Sequence, residues 1–382
     1  MRVIKLAALS IGSVIFCDPP CLRHGTQRLK VGVLALLLLL SACVTSTALQ
    51  YQVRDLGWLG PDYSEIAAIA ISDSGMILGS GVSRPDNKTY SSVWDTGGDI
   101  TALERIGTFS KASDINSSGT IVGGADMSNN NPYAVVWDAT GAITNIIGPG
   151  SAYAINDSGQ ILLYDMSDYL VLNPDGTSHR LSDIPGYRFS SPSSLNSNGW
   201  AAGNTMDMNY KYHPTVWDTQ GNGSILSEPP NSVDSWVYAV NDVGKVVGSI
   251  SDSVWVSAVV WDTSGVPSLL PNLDGYNDSY ARDINNAGWV VGSASSVLSE
   301  RPVVWDENGN VFALPLLSGG SYGGALAIND HGWIVGASND EAGSMRAVLW
   351  TPVPEPSSLL ALGGGILGLW GLRRRRTSSI PL

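Results

Sequence analysis

Cysteine is confined to the first 43 of the 382 residues, at Cys17, Cys21 and Cys43. Everything beyond them therefore lacks a disulfide framework and thiol chemistry. Histidine is nearly as rare, and His24, His179, His213 and His331 show no metal-site spacing to Cys or Glu, so nothing points to a zinc centre. Cations are scarce too, with 21 Lys and Arg against 34 Asp and Glu. Nine of those cations and two of the acids lie in the first 48 and last 31 residues, so residues 49–351 carry 12 against 32, a net charge near −20. Nucleic acid binding depends on cations that neutralise phosphates and is excluded on this balance; a soluble surface or a cation-rich matrix suits it. Helical periodicity is also missing. Apolar residues alternate with period two, which places successive side chains on opposite faces of a strand. No residue pattern calls for a cofactor or a metal.

What is present is a repeat. An apolar residue, a small polar turn and a glycine recur at 71–75, 115–119, 155–159, 195–199, 240–244, 284–288 and 328–332, the closing glycines 44, 40, 40, 45, 44 and 44 residues apart. That period, with strand-like content, is the size of one β-propeller blade. An apolar pair and a tryptophan before a second polar turn recur in phase at Trp94, Trp137, Trp217, Trp261, Trp305 and Trp350. The third repeat has residues 170–176, LVLNPDG, in that place, and Leu162, Leu163 and Tyr164 where the others carry Val-Gly or a near equivalent, which marks a distorted or specialised blade.

One repeat resolves into four short strands at 281–285, 289–293, 302–305 and 311–314, rich in the Val, Ile and Trp that a pleated surface favours. Asn and Asp tolerate left-handed angles and Gly supplies positive φ, so both polar turns close hairpins. The expected fold is all-β, a seven-bladed propeller of four-stranded antiparallel blades over residues 49–351. Its seventh repeat stops after the third strand at Trp350, and an orphan strand at 52–59, QVRDLGWL, precedes the first repeat. Pairing the orphan with 347–350 closes the ring and removes an exposed sheet edge. An open solenoid would need atypical polar caps, and neither terminal repeat is modified in that way.

Residues 1–48 read as a leader. Arg23, Arg28 and Lys30 precede the apolar run 31–40 and a small-residue stretch, the order of a signal peptide, with Ala48 as the expected signal peptidase site. A competing reading takes residues 40–43, Leu-Ser-Ala-Cys, as a lipobox in which Cys43 is lipidated. A second apolar stretch at 3–16 leaves the translation start open.

The C-terminal segment 352–382 has three parts: Pro354-Glu355-Pro356, an apolar glycine-rich run of 14 residues at 359–372, and Arg373, Arg374, Arg375 and Arg376. Spanning a bilayer takes about 20 apolar residues, so this run is a short, transient inner-membrane anchor, its arginines held on the cytoplasmic side. The proline-rich part keeps the processing site extended. This order resembles the PEP-CTERM sorting signal, which implies an exosortase partner in a Gram-negative bacterium, cleavage at Pro-Glu-Pro and release to the cell surface or exopolysaccharide matrix. An unprocessed tail anchor is the plain alternative. The repeats are similar to the HAF family of extracellular repeats, whose A-x-x-I-N-x-x-G-x-I-V-G and A-x-x-W patterns match residues 325–336 and 347–350. That resemblance implies an exported repeat protein and no defined chemistry.

Catalytic motifs fall away on context. Residues 319–323 match G-x-S-x-G but sit between blades rather than in a strand-turn-helix; 363–368 match G-x-G-x-x-G inside the apolar tail. The Asp-x-Asn runs lack the distal Glu of a calcium loop and read as hairpin turns. In an up-and-down blade both tight turns fall on one face, while the loop between strands two and three joins the blade crossover on the other. This loop face carries the variable Asp, Asn and aromatic segments 86–90, 126–133, 165–169, 207–213 and 252–255. Variable loops on a rigid scaffold are where binding usually sits. The candidates in blades 1 to 3 are Tyr90, Asp126, Tyr133, Asp168 and Tyr169; in blades 4 and 5 they are Tyr210, Tyr212 and Trp255. Aromatic faces stack on sugars and carboxylates bond hydroxyls, so the first reading is a non-enzymatic surface protein contacting exopolysaccharide. A propeller glycosidase with paired carboxylates and a purely structural or adhesion module are the alternatives.

Overall fold

The computed structural model describes residues 50–60, 62–83, 88–107, 109–126 and 131–353. They form seven four-stranded antiparallel sheets, and the described residues include no helix. Blades are numbered in chain order from the strand Tyr63–Ile71, and the first strand of each is innermost, touching the first strands of its neighbours. Blade 6 shows the unit: Asp278–Ile284, Val290–Ser295, Glu300–Trp305 and Val311–Ala313.

Two local devices shape each blade. The turn between its first two strands ends on a left-handed glycine, with φ of 87° at Gly288, a conformation that costs glycine least. The inner strand then carries a β-bulge, between Ala281 and Asp283 in blade 6, opposite Gly292. A Cβ there would collide with the Tyr280 carbonyl oxygen, which explains the glycine of the Val-Gly mark. Blade 3 keeps the bulge with Leu163 in that place.

The six phased tryptophans are fully buried. Each indole Nε1 donates to a carbonyl in the chain entering its blade, from Trp94 to Leu56 O at 2.8 Å and from Trp305 to Pro271 O at 2.9 Å, for example. A buried indole N–H needs such a partner, so the tryptophan bolts one blade to the next. Blade 3 has Leu172 instead, and the connection into it is reduced to Gly150, between Ile143–Pro149 and Ser151–Ile155. Blades 6 and 7 are joined by residues 314–322. The missing tryptophan thus coincides with a missing crossover.

The ring closes as the sequence implies. Strand Tyr51–Asp55 supplies the fourth strand of blade 7, pairing antiparallel with Met345–Pro352 in the register Val53↔Trp350. Leu56 N donates to Ala347 O at 2.9 Å. Arg346 pairs with Asp55 at 2.9 Å and lies 4.2 Å from the Trp58 ring centroid. Gln50 and Val353 lie side by side, joined by a 2.8 Å hydrogen bond. Their neighbours Tyr51 and Pro352 lie against Gly332 on the turn face.

Candidate functional site

The turn face is built around a ring of asparagines. Asn116, Asn156, Asn196, Asn241, Asn285 and Asn329 occupy one repeat position, buried at the axis. Each Oδ1 accepts the backbone N–H four residues on, as Lys245 N does to Asn241 at 2.9 Å. Each Nδ2 donates to the backbone carbonyl of the same position in the next blade, over 2.8–3.2 Å. Only an amide does both; aspartate would cap the turn but donate nothing. Blade 1 has Ser72, whose hydroxyl accepts from Met76 N at 3.1 Å; no bond to Asn116 O closes the ring there.

The next turn residue makes a second run from blade 4 to blade 1, Ser197 N to Asp242, Asp242 N to Asn286, Asn286 N to Asp330 and Asp330 N to Asp73, over 2.6–2.8 Å. These turns enclose an axial mouth of about 180 Å³. Burial pushes the Asp73 carboxyl up, and the charges of Asp330 and Asp157 add to this.

Below the mouth, Asp114 and Asp283 stand on inner strands of blades 2 and 6. Each carboxylate bridges two blades, Asp114 accepting from Ile115 N and Ile155 N, and Asp283 from Ile284 N and Ile328 N, at 2.8–2.9 Å. Burial pushes Asp114 up to about 6 and Asp283 up to about 7, against the pull of those N–H groups. The Asp114 charge contributes to Asp283 although the blades are not neighbours, which places both at the axis. Between about pH 4 and 7 the folded chain therefore holds protons that the unfolded chain has released. Their stabilisation is complete below about pH 4 and lost as pH rises through these values. Turn carboxylates act in the opposite sense: Asp138 and Asp218 are held low by the Thr140 and Asn222 side chains, and Asp252 by the Trp255 N–H. They lose stability only below about pH 4. The melting temperature is expected to be higher at about pH 5 than at about pH 8, and Asp114→Asn with Asp283→Asn to flatten that slope. A flat wild-type profile would contradict the assignment.

The loop face holds the sequence candidates, with one correction. Tyr90 is not available to a ligand: it is 3 % exposed, its ring edge-on to Tyr63 at 4.4 Å. It is the second residue of strand Thr89–Trp94, and the pleat turns it into the core. Asp126 exchanges backbone and side-chain hydrogen bonds with Phe109, so it pins the chain entering blade 2. Tyr133 is half-buried in strand Pro132–Trp137. Tyr212 is half-buried near Trp236, with ring centroids 6.5 Å apart. Beside it, His213 lies 2.7 Å from Glu228 and 3.5 Å from Asp207. Tyr210 is 64 % exposed, with φ of 69° and the Arg188 guanidinium 4.4 Å from its ring centroid. Trp255 is also exposed, on a loop capped by Asp252.

Asp168 and Tyr169 are brought together in a pocket of about 280 Å³ between blades 3 and 4, with Tyr164, Arg180 and Phe189. Tyr169 lies 5.0 Å from the Tyr164 ring and 5.7 Å from Tyr153, and Asp168 pairs with Arg180 at 2.6 Å. On the same face the loop tips of blades 3 to 6 expose Met166, Met208, Val254, Val297 and Leu298. Sequence reasoning passed over these apolar tips because it looked for aromatic and polar side chains. It also passed over the asparagine ring, although the Asn recurs in six of seven repeats. Residues 319–323 lie in the connection into strand Gly323–Ile328, with no helix after them. Ala48, Cys43, Pro354, Glu355, Pro356 and Arg373 to Arg376 lie outside the described residues.

A family model for the PEP-CTERM protein-sorting motif matches residues 352–376. No curated protein matches the sequence. Among solved structures, virginiamycin B lyase from Staphylococcus aureus is similar at a TM-score of 0.53 and 14% identity, over 80% of this chain and 100% of that one. The β-propeller domain of the Trilobed protease from Pyrococcus furiosus, described as having an open velcro topology, is similar at 0.56 and 10%, over 75% and 93%. These likenesses are of fold. The sorting motif implies exosortase processing during export to the envelope or surface of a Gram-negative bacterium.

Proposed function

We propose that this chain is an HAF-type propeller, freed by signal peptidase and exosortase into the surface matrix, that holds exopolysaccharide on its loop face by binding rather than catalysis. The pocket between blades 3 and 4 carries the reading. It joins tyrosine rings for stacking on pyranose faces to an Asp168–Arg180 pair that can bond hydroxyls, and its volume, about 280 Å³, falls at the lower end of ligand pockets. The axial carboxyls Asp114 and Asp283 are each occupied by two backbone N–H groups, which fits a structural role better than acid–base work.

Exopolysaccharide pull-down with the exported protein tests the reading. Tyr169→Ala, Tyr210→Ala, Tyr212→Ala and Trp255→Ala together are expected to remove retention while the fold persists by circular dichroism. Retention unchanged in that variant argues against the face. No retention by the wild type favours a structural or adhesion module, and release of oligosaccharides favours an enzyme.

A further inference from the structure

A second pocket lies on the opposite face, where the loop-face reading does not reach. It sits between the turns of blades 4 and 5, with a volume of about 310 Å³. Its walls are apolar, from Trp200, Val216, Leu226 and Val243, and its rim carries Asp242 and Asp262.

The pocket opens where blade 4 lacks a cover that four other blades provide. In blades 1, 3, 5 and 7 the residue after the turn glycine reaches over the next blade's turn glycine. Met76 does so at Gly119, Gln160 at Gly199, Lys245 at Gly288 and Trp333 at Gly75, each within 3.0–3.5 Å of where a Cβ would sit. Trp200 occupies the same position in blade 4, yet the space over Gly244 is approached only by Thr263, at 3.8 Å. The indole is 42 % exposed, and its Nε1 donates to no described residue, unlike the six core tryptophans. An aromatic plate with a free donor thus borders an open apolar floor.

Charge selects the occupant. Asp262 engages its turn through Oδ1 alone, accepting from Ser264 N and Val266 N at 2.9 Å, and Oδ2 is left for a ligand. Lys245, the cation on this pair of turns, reaches away towards blade 6. A flat ring with an apolar face suits Trp200, a positive charge suits Asp262, and an anion is repelled by this rim and by the acidic domain around it.

We propose that this pocket is a subsite for a pyranose ring bearing a protonated amine, stacked on Trp200 with its ammonium at Asp262. With the loop-face pocket it gives the propeller two glycan-binding faces, able to bridge separate polysaccharide strands. The test is isothermal titration of the exported protein with oligomers of glucosamine, glucose and galacturonic acid. The glucosamine oligomer is expected to bind best and the galacturonic acid oligomer worst. Trp200→Ala is expected to weaken glucosamine binding about tenfold or more, a change of about 1.4 kcal/mol. Asp262→Asn, which keeps the turn cap, is expected to erase the preference for glucosamine over glucose; all titrations are made in a Tyr169→Ala, Tyr210→Ala background, which removes the loop-face contribution that the proposed function assigns. Affinity within about twofold of wild type in a folded Trp200→Ala protein overturns the proposal, because binding is then general charge attraction. Equal or tighter binding of the galacturonic acid oligomer overturns it, as does binding of none of the three.

Discussion

A chain lacking residues 50–59 is expected to lose cooperative unfolding. The deletion removes all of strand Tyr51–Asp55 and its five-residue pairing with Met345–Pro352. It also removes Leu56, whose side chain is buried in the blade 7 to blade 1 core and whose carbonyl accepts the Trp94 indole. Loss of a buried Leu or Val side chain costs about 1.5–3 kcal/mol in transfer alone, and an orphaned buried indole N–H about 1–3 more. Those terms, with the pairing itself, compare with a whole-domain stability of about 5–15 kcal/mol. The strand left at the edge of blade 7 would offer unpaired N–H and C=O groups to other chains, so association should accompany the loss. Denaturant titration followed by tryptophan fluorescence, with light scattering, measures both. A truncated protein with an unchanged transition would refute the closure.

The second large effect is expected at the axis. Asn241→Asp keeps the turn cap, because a carboxylate still accepts from Lys245 N, but it removes the 2.9 Å donation to Asn285 O. The buried Asn285 carbonyl then keeps only the Gly288 N–H at 3.0 Å and faces a negative charge, a cost of about 1–3 kcal/mol. Ser72→Asn is the converse change. It supplies the missing seventh amide opposite Asn116, and a net gain of about 1 kcal/mol is expected if the new Nδ2 reaches that carbonyl. Midpoints from urea unfolding should move in opposite directions for the two variants. Equal, small shifts would show that the ring only caps its turns.

The blade count, the hairpin turns and the closing strand were legible because each leaves a local, periodic mark: a turn glycine, a tryptophan, a strand without a partner. The bonds that join blades were not. Asn285 looks like a turn residue in its own repeat, and only the ring shows its amide crossing 44 residues of chain to Asn329. Tyr90 misled because residues 86–90 read as one loop segment, whereas Tyr90 is already pleated inward. Asp168 and Tyr169 were legible as loop-face residues; their partners Arg180 and Phe189 come from the end of blade 3 and the start of blade 4, a juxtaposition that only the fold creates. Trp200 shares its position with Trp289 and Trp333, and nothing in the sequence tells that Trp333 lies over the next blade's turn glycine while Trp200 and Trp289 do not.

Both ends of the propeller meeting in one sheet is the claim on which the rest depends, and the cysteine-free domain allows a direct measurement. Gln52 and Thr351 are opposite each other in the closing pair, with their side chains 3.0 Å apart. Directly opposed strand residues have Cα atoms about 4.5–5.5 Å apart, within disulfide reach. Air oxidation of the Gln52→Cys, Thr351→Cys protein, followed by peptide mapping, should give a crosslink within one chain and a raised melting temperature. Free thiols, or a crosslink only between chains, would contradict the closed ring.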